Sequence, residues 1–153
     1  MEKVQEWTKA SQVELIYKSV IHASKRPKMN GSKMVYEFLL ENWDMGKIEL
    51  QEQAIALLLN YSNRVLGIYH LSTGGTTGTV IDPRLLFTAA LKINASAIIL
   101  AHNHPSGNLN PSDRDKYVTE KIRKAGEVLD IKVLDHLIIT AEGYTSFAEE
   151  GYL

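Results

Sequence analysis

The chain has 153 residues, a formal net charge of −1 at pH 7 and no cysteine. This length suffices for one ordinary domain with a hydrophobic core, and the near-neutral charge argues against strong electrostatic attraction to nucleic acid. The lack of cysteine excludes disulfides and thiolate metal sites, so any metal ion has to be held by nitrogen and oxygen donors.

The first 48 residues carry a strand pattern followed by a helix pattern. Between residues 11 and 21, apolar residues alternate as on a strand, although a helical spacing also fits. Ser32 can cap a helix with an apolar stripe, and that helix is expected to end near Gly46. We therefore predict that residues 1–48 form an N-terminal extension, made of a strand and a helix, which packs on the main domain of residues 49–153.

The middle of the chain predicts a hairpin, a helix and a buried strand. Two apolar segments flank a polar turn at residues 61–64 and predict an antiparallel hairpin. The glycine-rich run at residues 72–79 lacks the lysine of a phosphate-binding loop and is predicted to form a flexible rim of the active site. Asp82, with proline behind it, predicts a helix start, and the apolar run 96–101 predicts a strand after that helix.

The last third of the chain adds a helix and two strands. Ser112 is expected to open a long helix. Residues 131–134 and 137–140 are expected to form two strands, with Asp135 and His136 at or near their junction. Together these elements predict an α/β fold with a single mixed β-sheet flanked by helices.

The stretch HNHPSGNLNPSDRD, at residues 102–115, follows the predicted buried strand directly. Side chains two residues apart on a strand point the same way, so His102 and His104 can share a metal ion. A proline and glycine turn then brings the chain back, and Asp115 in the first turn of the next helix can supply a third ligand, with Asp113 as the alternative. Such a site leaves a fourth position open, and zinc held in this way lowers the pKa of bound water to about 7. The pattern therefore indicates hydrolysis.

Each of these residues also has an ordinary structural explanation. Ser112 and Asp115 have the spacing of a helix capping box, and a single surface histidine usually has no function. The combination of paired histidines at a strand end, a forced turn and a helix-opening acid favours a metal site. The same donors can also hold iron or manganese, so the residues alone do not select zinc.

The same stretch resembles the JAMM motif of the MPN metalloproteases, in which His, one residue, His, seven residues, Ser, two residues and Asp follow one another. The residues that match this spacing are His102, His104, Ser112 and Asp115. The sequence is more closely similar to the bacterial RadC-like branch, through AIILAHNHPSGNLNPSDRD, TGTVIDPRLLFTAALKINAS and IKVLDHLIIT with GYTSFAEEGYL. The resemblance covers about residues 50–153.

The resemblance implies a cytidine-deaminase-like fold, a zinc ion with water as its fourth ligand, and an upstream glutamate as general base. The implied zinc ligands are His102, His104 and Asp115. The glutamate matches Glu52, and Glu49 is a nearby competitor for the same role. Ser112 would hydrogen bond the oxyanion of the tetrahedral intermediate or the water on the metal.

These features predict a zinc hydrolase that cleaves a peptide or isopeptide bond in a peptide or protein substrate. The alternative is a RadC-like module that acts in DNA repair or binds a partner with little or no turnover. RadC-like proteins often carry a helix-hairpin-helix module, for which residues 1–48 are too short, and the net charge does not support nucleic-acid binding. The chain shows no signal peptide and no apolar run long enough for a bilayer, so we expect a cytoplasmic protein without a membrane partner.

Overall fold

The computed structural model describes residues 9–75 and 79–153, and its centre is a five-stranded sheet with helices on both faces. The helices are α1 (Ser32–Asn42), α2 (Pro83–Lys92) and α3 (Asp113–Val128), after a 3-10 turn at Ala23–Lys25. The strands are β1 (Gln53–Leu59), β2 (Val65–Thr73), β3 (Ala97–Asn103), β4 (Lys132–Ile139) and β5 (Tyr144–Ser146). Within the described ranges, no helix is both long and apolar enough to cross a bilayer.

The sheet has the strand order β2-β1-β3-β4-β5. The pair β3 and β4 is parallel, and the other three pairs are antiparallel. A parallel pair needs a crossover, and α3 supplies it between β3 and β4. The predicted mixed sheet flanked by helices is therefore confirmed.

Successive side chains of β1 and β3 point to opposite faces of the sheet and contribute to two separate hydrophobic layers. Ile55 of β1 and Ile99 of β3 face the layer that contains α1, whereas Leu58 and Leu100 face the layer that contains α2 and α3. Because side chains alternate along a strand, Asn103 lies on the α1 side of the sheet. The histidines on either side of it lie on the α2 and α3 side.

The strongest local signals of the sequence are found in the structure. Residues 60–64 join β1 and β2 into the predicted hairpin. Asp82 caps α2, because its carboxylate accepts a hydrogen bond from the Arg84 N–H at 2.9 Å, and Pro83 is the first helical residue. Ser112 is the N-cap of α3.

The prediction of a strand between residues 11 and 21 is wrong, since the structure has neither a strand nor a helix there. Val13 and Val20 are 87% and 95% exposed, so the alternation of apolar residues does not reflect a buried face. Among residues 9–75 and 79–153, no strand pairs with this segment, and a strand needs a partner for its backbone hydrogen bonds.

The first helix differs from the prediction at both ends. Gly31 is the N-cap, and Ser32 is the first helical residue, with its hydroxyl 3.1 Å from the Tyr144 hydroxyl. The helix ends at Asn42 rather than near Gly46. Its buried side chains belong to the same core as the sheet, and the proposed division of the chain after residue 48 stays a prediction.

The prediction of two strands at residues 131–134 and 137–140 is also wrong, because β4 is one continuous strand through Asp135 and His136. Asp135 and His136 interrupt the run of apolar residues and therefore suggested the end of a strand. In the structure both are buried and hydrogen bonded. Buried polar groups are tolerated inside a strand when their hydrogen bonds are satisfied.

A register shift in the β3–β4 pair determines which way His136 faces. Ile98 pairs with Val133, but the next residue of β3, Ile99, pairs with Asp135, so Leu134 has no partner. An extra residue of this kind exchanges the two faces of the strand that follows it. The shift therefore places His136 on the same side of the sheet as His102.

Candidate metal centre

Four side chains meet where β3 ends, on the side of the sheet that carries α2 and α3. His102 belongs to β3 and His104 follows it, Glu52 directly precedes β1, and Asp115 lies in the first turn of α3. The two histidine Nε2 atoms are 3.0 Å apart. The structure thus brings together the four residues that the sequence analysis assigned to metal binding and proton transfer.

The two carboxylates approach the histidines at different distances. Asp115 Oδ1 lies 3.4 Å from His102 Nε2, and Asp115 Oδ2 lies 3.5 Å from His104 Nε2. Glu52 Oε1 is farther away, at 3.9 Å and 3.8 Å from the same two nitrogens. Single ligand atoms of Glu52, His102 and His104 all lie within 4.8 Å of one another and could hold a metal ion.

A chain of hydrogen bonds fixes the ring orientation of His102. Thr119 Oγ1 donates to the Asp115 carbonyl at 2.7 Å and therefore accepts from His136 Nδ1 at 2.6 Å. Burial lowers the pKa of His136 well below its usual value, so its ring is neutral and its Nε2 is an acceptor. His102 Nδ1 donates to that nitrogen at 2.7 Å, which leaves the lone pair of His102 Nε2 directed into the site.

His104 is oriented in the same sense by a backbone group. Its Nδ1 lies 2.6 Å from the Asn108 carbonyl oxygen, which can only accept, so Nδ1 carries the proton. Both Nε2 atoms are then unprotonated, and each carries a lone pair that can bind a metal ion. The two atoms are 3.0 Å apart. Two ligands about 2.0–2.1 Å from one zinc ion stand roughly at this separation, so the donor set fits a metal ion.

The electrostatics of the site also favour a cation. Burial raises the pKa of Asp115, but the contacts with His102 and His104 and the Ser112 N–H outweigh it and hold the pKa below its usual range. Burial lowers the pKa of His104, but the neighbouring Asp115 and the Asn108 carbonyl outweigh it and raise the pKa. Both shifts mean that this pocket stabilises positive charge.

Ser112 and Asp115 form a capping box as well as facing the site. The Ser112 hydroxyl oxygen accepts from the Asp115 N–H at 3.0 Å, and Asp115 Oδ2 accepts from the Ser112 N–H at 2.9 Å. The cap uses a lone pair of the Ser112 hydroxyl, so its proton stays available for another acceptor. The structural explanation and the functional one are therefore compatible at both residues.

The competing acids are placed differently. Asp113 shares the first turn of α3 with Asp115 but is exposed, and the contacts with the histidines come from Asp115. Glu49 is exposed, whereas Glu52 has a side chain only 12% exposed and lies beside both rings.

Two residues that hold this site together, Thr119 and Asn103, were not predicted from the sequence. Thr119 connects α3 to His136, and its position four residues after Asp115, on the same helix face, was a usable signal. Asn103 separates the two histidines and is completely buried. Its partners come from a distant part of the chain, so no local pattern pointed to it.

A cavity of about 310 Å³ opens over the four residues. Pro105, Arg114 and Val118 line it on the β3 and α3 side. Thr79, the last residue of the glycine-rich loop that was predicted to form the rim, and Val80, which follows it, also line the cavity. Residues 76–78 of that loop lie outside the described residues.

The comparisons with family models and with individual known proteins agree with each other. The family model for the RadC-like JAB domain matches residues 29–152. A UPF0758 protein of Flavobacterium johnsoniae is 54% identical over 100 residues, which are 65% of this chain and 44% of the relative. UPF0758 proteins of Symbiobacterium thermophilum and Thermotoga maritima are 40% and 36% identical and cover 84% and 82% of this chain. These matches include 54% and 55% of the two relatives, so the chain spans about half the length of the curated relatives it matches.

Proposed function

The chain belongs to the RadC-like JAB domain family, and on that premise we propose that it is a zinc-dependent hydrolase of peptide or isopeptide bonds. The observation that carries the proposal is the pair of histidine Nε2 atoms 3.0 Å apart, with the carboxylates of Glu52 and Asp115 within 3.9 Å of both. A purely structural metal site needs neither a nearby base nor an open cavity, and this site has both.

We assign Asp115 as the third metal ligand and Glu52 as the general base. Asp115 lies closer to both imidazole nitrogens than Glu52 does, and its lowered pKa keeps it ionised, as a ligand must be. Glu52, which lies farther from both nitrogens, is assigned to act on the water ligand rather than on the ion. A zinc ion held by His102, His104 and Asp115 would supply an activated water, because such an ion lowers the pKa of its water ligand to about 7.

The protein side chains then divide the remaining work. Glu52 accepts a proton from the attacking water at Oε1 and passes it to the leaving amine, as a general base that becomes a general acid. Ser112, whose hydroxyl proton is not used by the helix cap, donates it to the oxyanion that forms on the attacked carbonyl. The hydrogen bonds of His102 and His104 through Nδ1 hold both rings still during the reaction.

The proposed substrate is a peptide or protein, and the lining of the cavity supports this. Pro105 and Val118 offer apolar contacts beside the four polar groups, and Arg114 offers a positive charge. Such a mixture of a few convergent polar groups and apolar walls is usual for a ligand site.

Metal analysis and hydrolysis assays test the proposal together. Elemental analysis of the purified protein is expected to give about one zinc per chain. The zinc-loaded protein is expected to cleave members of a quenched-fluorescent peptide library or isopeptide-linked peptides, and the chelated protein is not. The variant Glu52→Gln keeps the shape of the side chain and is expected to bind zinc normally without turnover.

Two results would contradict the proposal. A protein that takes up no metal would remove its basis. A zinc-loaded protein that cleaves no peptide or isopeptide would favour a partner-binding module instead. Loss of zinc in Glu52→Gln would show that Glu52 is a ligand, and the assignment of base and ligand would have to be reversed.

A further inference from the structure

We propose that Asn103 is a positioning residue that fixes Glu52 relative to the two histidines. This inference rests on the proposed function, because it gives Glu52 the task of proton transfer. Asn103 lies between His102 and His104 in the chain, but its side chain points to the opposite face of the sheet, where it is completely buried. There it reaches the segment that carries Glu52.

The amide of Asn103 binds both neighbours of Glu52. Its Oδ1 accepts from the Gln53 N–H at 2.7 Å, and its Nδ2 donates to the Gln51 carbonyl at 2.9 Å. The same Nδ2 donates to the Ile48 carbonyl at 2.8 Å. Glu52 is therefore enclosed between two backbone groups that are both tied to the histidine-bearing strand.

The backbone of Glu52 itself is held from the other side. Its carbonyl accepts from the Gly74 N–H at 2.8 Å, and its N–H donates to the Gly75 carbonyl at 3.4 Å. The backbone pairing of β1 with β3 ends at Ala54 and His102. Asn103 continues this pairing with its side chain, one residue beyond the point where the strands stop.

Asparagine suits this position because three different backbone groups need partners there. One is a donor and two are acceptors, and a carboxamide offers one acceptor oxygen and two N–H donors. An aspartate would satisfy the Gln53 N–H only, and would place an anionic oxygen against two carbonyls. An apolar residue would leave all three buried groups without a partner.

The effect of Asn103 on turnover depends on the distance between the Glu52 carboxylate and the two histidines. Glu52 Oε1 is 3.8 Å from His104 Nε2 in this arrangement, and proton transfer requires hydrogen-bond reach through the intervening water. A displacement of about 1 Å at a catalytic group can cost about 100-fold in rate. Loosening the segment at residues 51–53 is therefore expected to reduce turnover without touching a metal ligand.

The test compares the variants Asn103→Leu and Asn103→Asp with the wild-type protein. All three are studied as the full chain loaded with zinc. In Asn103→Leu we expect the Gln53 amide hydrogen to exchange about tenfold faster, because its hydrogen bond is lost. We expect zinc affinity to be retained and kcat to fall about 100-fold with KM unchanged. In Asn103→Asp the Gln53 hydrogen bond survives, so the exchange should change less than in Asn103→Leu, while kcat still falls.

Tyr36→Phe is the matched control. Tyr36 lies on the same side of the sheet, and its hydroxyl donates to the Thr140 carbonyl at 2.8 Å, so the variant loses one hydrogen bond away from residues 48–53. Because this hydrogen bond involves none of the backbone groups that Asn103 binds, the variant is expected to leave Gln53 exchange, zinc affinity and kcat unchanged. Circular dichroism establishes that each variant is folded, and Asn103→Asp decides the question if Asn103→Leu does not fold.

The outcomes separate this inference from the proposed function. A folded Asn103→Leu protein with normal Gln53 exchange overturns the positioning role, and so does a parallel loss of zinc affinity and kcat. If the wild-type protein binds zinc but hydrolyses nothing, the proposed function fails, and the role of Asn103 in proton transfer fails with it. Faster Gln53 exchange with retained zinc affinity and reduced kcat supports both.

Discussion

His102 and His136 share a hydrogen bond of 2.7 Å between Nδ1 of the first ring and Nε2 of the second. The bond connects the buried His136 to a candidate metal ligand, and Thr119 determines which nitrogen of His136 carries the proton. The tautomer of the candidate ligand His102 is thus set from the interior of the protein, by a residue four positions along α3 from Asp115.

We expect His136→Phe to weaken zinc binding about 10–100-fold, which is the usual cost of losing the partner of a ligand. Phenylalanine keeps the stacking of ring 136 on Phe147, whose centroid lies 4.7 Å away, but leaves His102 Nδ1 without its acceptor. Competition with a chromophoric chelator measures the affinity. His70→Gln is the control, because His70 is exposed on β2 and outside the site. Unchanged affinity in a folded His136→Phe protein would show that the hydrogen bond does not support the ligand.

The two aspartates of the first turn of α3 provide a paired test of ligand identity. Both feel the same helix dipole, but only Asp115 contacts the histidines. Asp115→Asn keeps an oxygen that can accept from the Ser112 N–H while removing the charge. We expect it to reduce zinc affinity by more than the roughly 10–100-fold range of a supporting residue, and Asp113→Asn to bind zinc as the wild type does. Equal affinities of the two variants would exclude Asp115 as a ligand.

Local patterns were sufficient for the parts of the fold that depend on local chemistry. The Asp82 cap with its proline, the polar turn of the first hairpin and the capping box at Ser112 are short signals with one main structural solution. The pairing of His102 and His104 follows from strand alternation alone. These features depend little on which strands become neighbours.

The missed features depend on contacts between distant segments. The direction of His136 depends on the unpaired Leu134, which exists only because β4 pairs with β3 in a shifted register. The role of Asn103 depends on the antiparallel neighbour β1, about fifty residues earlier. Alternation between residues 11 and 21 predicted a strand, but no segment in the described part of the chain pairs with these residues. Sequence periodicity indicates a possible buried face, but tertiary contacts decide whether it is buried.

Ser112 can be tested for two functions with a second helix cap as the reference. The Ser112 hydroxyl caps α3 and the Asp82 carboxylate caps α2, each by accepting from a backbone N–H. Ser112→Ala and Asp82→Ala are each expected to lower the free energy of unfolding by about 1 kcal/mol. Only Ser112→Ala should also lower kcat, by about 100–1000-fold, because it removes a donor to the oxyanion. Urea unfolding measures the effect on stability, and peptide hydrolysis measures the effect on kcat. Equal kcat values for Ser112→Ala and Asp82→Ala would show that Ser112 acts only as a helix cap.

Asp135 gives a pH dependence of stability that is independent of the metal. Burial raises the pKa of its carboxyl, and hydrogen bonds from the Ser146 hydroxyl and the backbone N–H groups of Ala148 and His136 only partly oppose this. The folded state therefore binds the proton more tightly than the unfolded state, where the pKa is about 3.9. The contribution of Asp135 is fully present below that value and is lost as the pH rises through the folded-state pKa.

Asp135→Asn removes this titration while keeping an oxygen for the two backbone donors. The free energy of unfolding of the wild type, minus that of the variant, should therefore fall as the pH rises above about 4. Urea unfolding at a series of pH values, with chelator present so that no metal binding contributes, gives this difference directly. A difference that rises with pH would mean that the three hydrogen bonds outweigh burial and that the carboxylate is held ionised in the fold, because stability increases with pH wherever the unfolded state binds more protons.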